Sequence, residues 1–553
     1  MDFQRYLLIG AVAVLSYMLV VEWTHFQQKN ADAAVATATA APPLTAGTGD
    51  IDVPAGPNAS VPENNSVTPA QAAEQSRLIR VHTDVLDIEI DRQGGDIVYA
   101  ALPKFTAQLN TPDVPFVLLE QDAKRIYIAQ SGLIGVDSNN GRPLYQSDKN
   151  EYSLAANTDS LTVTLNYETE QHIAVQKIFH FRRGDYLIDV SYHVDNKSDA
   201  PWQGTMYGRL KRDDSKDPSV VSGGFGIHSY LGAATNKVDS TSTKNDGYHK
   251  LPFKDMAEKP LKLQQQGGWL AFVQHYFLSA WIPAADQQNH FETATRDSMH
   301  LGWFTGAMQT VAPNASADFN ARFYAGPKDQ YRLRTISPGL DLSVDYGFLW
   351  WIAQPLFWFL TKIHAFLGNW GWSIMVLTLG VKLLFFGLNA KAYKSMANMR
   401  RVQPKLVEIR ERYADDKQKQ SQEMMNLYKT EKINPLGGCL PMFVQMPVFL
   451  SLYWMLLESV ELRHAPWILW IHDLSAMDPF YVLPIIMGAT MFLQQKLNPP
   501  PPDPMQAKMM QYMPIMFTFF FLWFPAGLVL YYIVNNMLSI VQQYIITKRI
   551  VKA

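Results

Sequence analysis

The sequence predicts a polytopic α-helical membrane protein with six transmembrane helices, five of them forming a core, plus a large all-β domain outside the membrane. Three observations carry that prediction. Residues 78–340 show strand-like alternation, long apolar runs take over after Asp345, and Lys and Arg crowd onto alternate connections between those runs. The 553 residues carry a formal net charge of −2, which gives no argument for a nucleic-acid partner. The single cysteine, Cys439, excludes an intramolecular disulfide, and its apolar neighbours make it a packing residue.

Residues 1–23 open the chain with a short polar lead (Asp2, Gln4, Arg5) and the apolar run Tyr6–Val21. That run ends in Glu22-Trp23 with no small-x-small site directly behind it, so it reads as an uncleaved anchor rather than a cleaved signal peptide. Residues 24–77 form a flexible linker. From Asn30 to Gln75 they are mostly Ala, Thr, Pro, Gly, Asn and Ser, too little apolar surface to offset the entropy of ordering.

Period-two alternation then runs through Val81–Ile90, Leu161–Tyr167, Tyr186–Val194 and Ala321–Tyr324, with turn signals at Gly94-Gly95, Asn139-Asn140-Gly141 and Arg183-Gly184-Asp185. Short strands without a βα rhythm indicate a large antiparallel sandwich. His180 and His193 fall in alternating strands and read as outward-facing sheet residues rather than an acid–base pair.

The membrane part begins at 345–366. Its aromatic run Phe348–Leu360 is short, with Gln354 and Pro355 in the middle, and suits a helix lying in the interface. The five-span core occupies 370–546, with spans at Trp370–Leu388, Gly437–Leu457, Pro479–Gln494, Met509–Phe524 and Gly527–Ile546. Pro484 and Pro514 interrupt the two short middle spans. Residues 390–432 form a helical hairpin turning near Asp415-Asp416, with eleven basic against six acidic residues. Met396, Met399, Met424 and Met425 give it adaptable apolar surface. A basic tail, 547–553, ends the chain. The connection Glu458–Asp478 holds only Arg463, so the positive-inside rule puts the hairpin, Lys496–Lys508 and both termini in the cytoplasm and the β domain outside.

Lys382 is the residue that most needs explaining. It lies ten residues beyond Trp372, an interface anchor, in an otherwise apolar run. At ~1.5 Å per residue that is ~15 Å, half of a ~30 Å hydrocarbon core. An ammonium there costs at least ~2.5–3.5 kcal/mol and usually faces a bundle interior or a wet cavity; snorkelling of its stem toward the cytoplasm is the alternative. Thr378 and Asn389 share its helical face, and the last span carries the polar stripe Tyr532, Asn535, Asn536, Ser539, Gln542 and Gln543. Gln445, Thr490, Gln494, Gln511 and Thr518 add polar groups from the other spans. Interhelical bonds worth about 0.6 kcal/mol each explain one or two such residues; a stripe plus a central lysine favours a solvated cavity. No phosphate loop, His-Glu-x-x-His or cysteine cluster is present, which leaves no enzyme constellation and no metal site.

Asn434-Pro435-Leu436-Gly437-Gly438-Cys439, Gln445-Met446-Pro447, Trp470-Ile471-His472-Asp473-Leu474, Asp478-Pro479 and Phe521–Tyr532 closely resemble the YidC-type membrane protein insertases of Gram-negative bacteria. The resemblance implies an insertase and chaperone of the bacterial inner membrane, working alone or with the Sec translocon, without ATP hydrolysis or cofactor. It implies nascent membrane proteins, the ribosome, the signal-recognition receptor and the lipid bilayer as partners, and no small-molecule substrate. It further implies a periplasmic β-supersandwich resembling sugar mutarotases, without sugar chemistry, and a hydrophilic groove closed to the periplasm, open to cytoplasm and lipid, with one central positive charge. Lys382 takes that place, where the family usually has arginine: the charge is kept and the bidentate fork lost. Thr378, Gln445, Tyr532, Asn535 and Ser539 are the other expected groove residues, and Arg400, Arg401, Lys405, Arg410 and Arg412 the expected contacts of a cytoplasmic partner. A secondary transporter and a membrane-anchored periplasmic carbohydrate-active protein are the competing classes. The first would show inverted repeats; the second would lose all function with its β domain.

Overall fold

The computed structural model describes residues 77–137, 141–220, 230–236, 247–431, 440–498 and 504–551. The expected anchor, nearly all of the linker, Asn139-Asn140, Lys432 to Cys439 and the Pro-rich connection at 499–503 lie outside them, as do the side chains of most of the basic tail.

Residues 78–327 fold into two sheets. The larger has eleven strands, in the order Lys262–Gln266, Gln288–Arg296, Met299–Thr305, Trp202–Arg212, Ile126–Ile134, Pro115–Gln121, Asp96–Thr106, Asp87–Asp91, Leu78–His82 and Glu151–Ser153, with Gln309–Val311 beside Trp202–Arg212. The smaller has eight: Tyr248–Pro252, Gly232–Asn236, Leu270–Val273, Phe277–Pro283, Ser316–Pro327, Leu187–Asn196, Ile173–Arg182 and Ser160–Glu168. Pairing is antiparallel except where Leu78–His82 meets Glu151–Ser153. Alternation does the packing. In Ile173–Arg182 the residues Ile173, Val175, Phe179 and Phe181 are buried, and they join Ile88, Ile90, Phe116, Leu210 and Phe272 in one core between the sheets. The alternation at Val81–Ile90 is not one strand. Thr83 turns the chain, accepting from the Leu86 amide at 2.9 Å, and Val85 and Leu86 are buried side by side. His193 sits at the surface between Asp318 (2.6 Å) and Asp195 (3.2 Å).

A charged cluster occupies the middle of this sandwich. Lys177 follows the inward phase of its strand and is fully buried, donating to the carbonyls of Gly94 and Ser131 at 3.0 Å each. Arg142 pairs with Asp96 and lies 3.6 Å from Asp137, whose other neighbour is the Tyr207 hydroxyl at 2.7 Å. Burial pulls the Lys177 ammonium down to about 7 and pushes the Asp137 carboxyl above its usual range.

Beyond Asp345 the chain is helical: α1 (Trp350–Leu367), α2 (Trp370–Leu384), α3 (Phe386–Arg412), α4 (Lys417–Thr430), α5 (Leu440–Glu458), α6 (Val482–Leu497), α7 (Pro504–Phe521) and α8 (Ala526–Val551). Helix α1 runs on past the short aromatic run expected, to Gly368, whose left-handed backbone (φ 67°) closes it with a bond to the His364 carbonyl. It buries Ala353, Phe357 and Leu360 and exposes Trp350, Trp351, Trp358 and Phe359.

The expected continuous span Trp370–Leu388 is broken. Phe385 leaves helical geometry (φ −92°, ψ 9°) and α2 and α3 meet at 67°. Gly387, a poor helix former, is the second residue of α3. Asn389 therefore does not continue the Thr378–Lys382 face, although it is buried. Among the described residues no single helix is long and apolar enough to cross a membrane, but the α2–α3 pair passes together. Pro484 does not interrupt α6: it falls in the first turn, where its missing N–H has no partner to lose. Pro514 does lie inside α7, and Thr518 bonds back to its carbonyl at 2.7 Å. In the hairpin, Met399 and Met424 pack on Val402 and Leu406, so they serve the pairing of α3 with α4 rather than an open surface; Met425 is exposed.

The β domain is tied to the end of α5. Lys328 pairs with Glu458 at 2.7 Å, both buried, and His275 donates to the Leu457 carbonyl at 2.9 Å. Val460 belongs to the sandwich core. Arg463 lies over Phe116 and Phe277 and donates to the carbonyls of Thr106 and Ala107.

Candidate functional site

Lys382 lies in the last turn of α2, three residues before the break. The charge expected within a continuous span therefore stands at a helix end, and at a helix C-terminus the unpaired carbonyls and the macrodipole favour a cation by about 0.3–1 kcal/mol. Only 8% of Lys382 is exposed, and its Nζ donates to Ser539 Oγ of α8 at 2.7 Å. No carboxylate among the described residues pairs with it.

Ser539 is the hub. Its hydroxyl accepts from Lys382, donates to the Asn535 carbonyl one turn back at 2.7 Å, and lies within reach of the Tyr393 hydroxyl from α3. Asn535 receives the Gln445 amide of α5. Lys382, Ser539, Asn535 and Gln445 therefore form one polar run linking α2, α8 and α5. Thr378 shares the Lys382 face and is buried, but its hydroxyl bonds its own helix at the Ile374 carbonyl (2.6 Å). Tyr532 joins the run differently. Its ring meets Phe449 and Phe521 edge-on, with centroids 4.8 and 4.9 Å away, so aromatic rings from α5, α7 and α8 close the run toward the start of α8.

The rest of the α8 stripe binds helix to helix. Asn536 donates to Thr490 Oγ1 at 3.2 Å, Gln542 to the Phe386 carbonyl at 3.1 Å beside the break, and Gln543 to the Leu497 carbonyl at 3.1 Å. Interhelical bonding thus accounts for these three, while Lys382, Ser539, Asn535 and Gln445 make up the part centred on charge. Gln511 is exposed and lies outside the cluster. Tyr393 was missed by sequence reasoning because it follows the break, in a segment read as hairpin.

Of the expected cytoplasmic contacts, Arg400, Arg401, Lys405 and Arg412 are exposed and Arg410 is half-buried. Lys405 and Arg401 converge on Glu431 (2.6 and 3.7 Å), and Arg412 pairs with Glu408 one turn away. Among the described residues no group of three His, Cys, Asp or Glu side chains is arranged to hold a metal ion.

The comparisons with known proteins agree with each other. The family described as YidC periplasmic domain matches residues 78–359, and the 60Kd inner membrane protein family matches 362–553. A membrane protein insertase YidC of Stutzerimonas stutzeri (strain A1501) is 52% identical, covering 100% of this chain and 99% of the relative. Another of that name, from Ectopseudomonas mendocina (strain ymp), is 50% identical over 100% of this chain and 98% of its own. A crystal structure described as an active YidC insertase with the first transmembrane domain resolved covers 85% of this chain and 92% of its own, at 18% identity and a TM-score of 0.37. A galactose mutarotase related enzyme from Lactobacillus acidophilus covers 45% of this chain and 97% of its own, at 11% identity and a TM-score of 0.27. Scores that low carry no argument about placement or chemistry. The full-length identities do: this chain belongs to the YidC family of membrane protein insertases, proteins of the inner membrane with a periplasmic domain that are not enzymes.

Proposed function

We propose that this chain inserts and folds nascent inner-membrane proteins through a hydrophilic, lipid-open groove centred on Lys382, alone or beside the Sec translocon. In this reading six helices span the membrane, with α2 and the first turns of α3 counting as one bent span. Both termini and the α3–α4 hairpin are cytoplasmic, and α1 lies in the outer interface. The exposed Arg400, Arg401, Lys405 and Arg412, with Arg410, meet the ribosome or the signal-recognition receptor.

One observation supports it above the others: a buried ammonium whose partner is a neutral hydroxyl (Ser539, 2.7 Å) rather than a carboxylate. Such a charge is stabilised only in part, by a helix end and a hydroxyl, and it has attraction left for an incoming anion. Lys382 draws the acidic or polar flank of a substrate part-way into the inner leaflet. The substrate's apolar segment, of ~20 residues, then passes into lipid beside α5 and α7, driven by removal of its surface from water. The Tyr532–Phe449–Phe521 rings seal the periplasmic side.

Lys382→Glu is expected to cut insertion of a substrate with an acidic flank roughly a hundredfold and Lys382→Arg hardly at all, as charge reversal in a site of low dielectric predicts. The measurement is protease protection of a single-span substrate in proteoliposomes. Equal insertion by the two variants would sink the electrostatic role.

A further inference from the structure

We infer that Lys328 and Glu458 are positioning residues: their ion pair pins the periplasmic end of α5 to the β domain and so sets the Gln445 end of that helix against α8. The inference rests on the groove reading above.

The pair is 2.7 Å long, with side chains only 2% and 7% exposed. Buried ion pairs add little net stability over apolar packing, but they accept one geometry and penalise every other. The neighbouring residues reinforce it. The Leu457 carbonyl takes the His275 bond, Val460 enters the sandwich core, Arg463 is held over two Phe rings, and His464 Nδ1 lies 2.8 Å from Thr106 Oγ1. Residues 457, 458, 460, 463 and 464 are thus each fixed to the β domain.

At the other end of α5, Gln445 bonds Asn535. The two polar anchors are thirteen residues apart on one helix, ~20 Å at ~1.5 Å per residue. Between them α5 presents apolar and aromatic side chains and Ser451, whose hydroxyl bonds its own helix at the Pro447 carbonyl (2.8 Å). Apolar packing of Val448, Leu452 and Leu456 is non-directional, so it holds α5 in place laterally and resists axial sliding weakly. Pro447 removes one backbone bond from the turn beside Gln445, which leaves that turn more dependent on the position of the rest. The axial setting of Gln445 therefore comes from the anchored end of α5, where the Lys328–Glu458 pin is the contact on the helix itself that accepts one geometry.

The test is hydrogen exchange over residues 445–458 in the full chain in lipid nanodiscs, without substrate, together with insertion in proteoliposomes. Lys328→Glu and Glu458→Lys singly are expected to speed exchange about tenfold or more, since breaking a buried pair leaves an uncompensated charge. Insertion falls with it, and the double variant Lys328→Glu/Glu458→Lys restores both. Wild-type exchange in folded single variants overturns the inference, and so does a folded double variant that stays fast. Where a reversal prevents folding, Lys328→Gln replaces it, with a smaller acceleration expected and wild-type exchange again overturning the inference. Exchange without substrate reports the pin alone. If it responds as expected while Lys382→Glu inserts like wild type, the groove reading fails and the pin stands.

Discussion

Two buried lysines, one in each half of the chain, are treated in opposite ways. Lys177 is caged: two carbonyls at 3.0 Å, the rings of Phe179 and Tyr192 at 5.2 Å, and the Asp96–Arg142–Asp137 cluster beside it. Lys382 is also buried, though less completely, and has one neutral hydroxyl and a helix end. Lys177 is surrounded by acceptors, rings and carboxyl groups, as a group that holds a fold together would be. Under the proposed function, the charge kept for a partner is the one left short of acceptors.

The largest expected effect tests the first half of that contrast. Arg142→Ala takes the guanidinium from Asp96 and Asp137 at once and leaves two buried carboxyl groups with Lys177 as the one cation close to both. It is expected to destabilise the β domain by about 3–5 kcal/mol. Lys382→Ala, in contrast, leaves Ser539 its bond to the Asn535 carbonyl and is expected to lower stability by less than about 1 kcal/mol, the worth of one hydrogen bond, while insertion of acidic-flank substrates drops. Denaturant titration of the full chain measures both. Comparable losses in the two variants would make Lys382 another structural cation.

pH separates the two halves at a smaller scale. Lys177 titrates at about 7 in the folded chain against 10.5 for an ordinary lysine. Between those values the unfolded chain holds a proton that the folded chain has lost, so stability of the β domain rises with pH across that window, by at most about 1.4 kcal/mol per unit. The buried Tyr145, Tyr192 and Tyr207 hydroxyls, all pushed well above 10, reverse the trend at higher pH because there the folded chain keeps the protons. Thermal midpoints at pH 7, 8 and 9 should climb in the wild type and flatten in Lys177→Met. A flat wild-type profile would show the ammonium to be charged inside the sandwich.

These contrasts were unequally legible in the sequence. Lys382 stood out because a charge in an apolar run violates a strong rule, and the α8 stripe stood out because its spacing is helical. The break at Phe385 did not, since the residues around it, Leu383 to Phe386, are all apolar and hydropathy carries no signal for a 67° bend. Tyr393 was hidden with it. Lys177 carried a signal that was there to read: it sits two residues from Val175 and two from Phe179, in phase with the inward side chains. Alternation marks such a lysine as buried, but its neighbours Asp96 and Arg142 come from a distant strand and a distant connection, and no local pattern joins them. The Lys328–Glu458 contact is of the same kind, 130 residues apart and invisible without the fold.

The smallest expected effect concerns cations that are not buried at all. Glu431 draws Lys405 and Arg401 together on the hairpin surface, and those two side chains hold its carboxyl below the usual range. Exposed pairs of this kind contribute little because water solvates either partner as well. Glu431→Gln should therefore leave the thermal midpoint of the chain where it is, at any pH above the carboxylate range. Its consequence lies in binding: with the acid gone, Arg401 and Lys405 present two uncompensated charges, and association with ribosomes should strengthen at low salt and lose the gain at high salt. Sedimentation with ribosomes at two ionic strengths reads this directly. An unchanged affinity would mean that these cations face away from the partner, and that among the described residues the charges that matter for function lie inside the helices rather than on the hairpin.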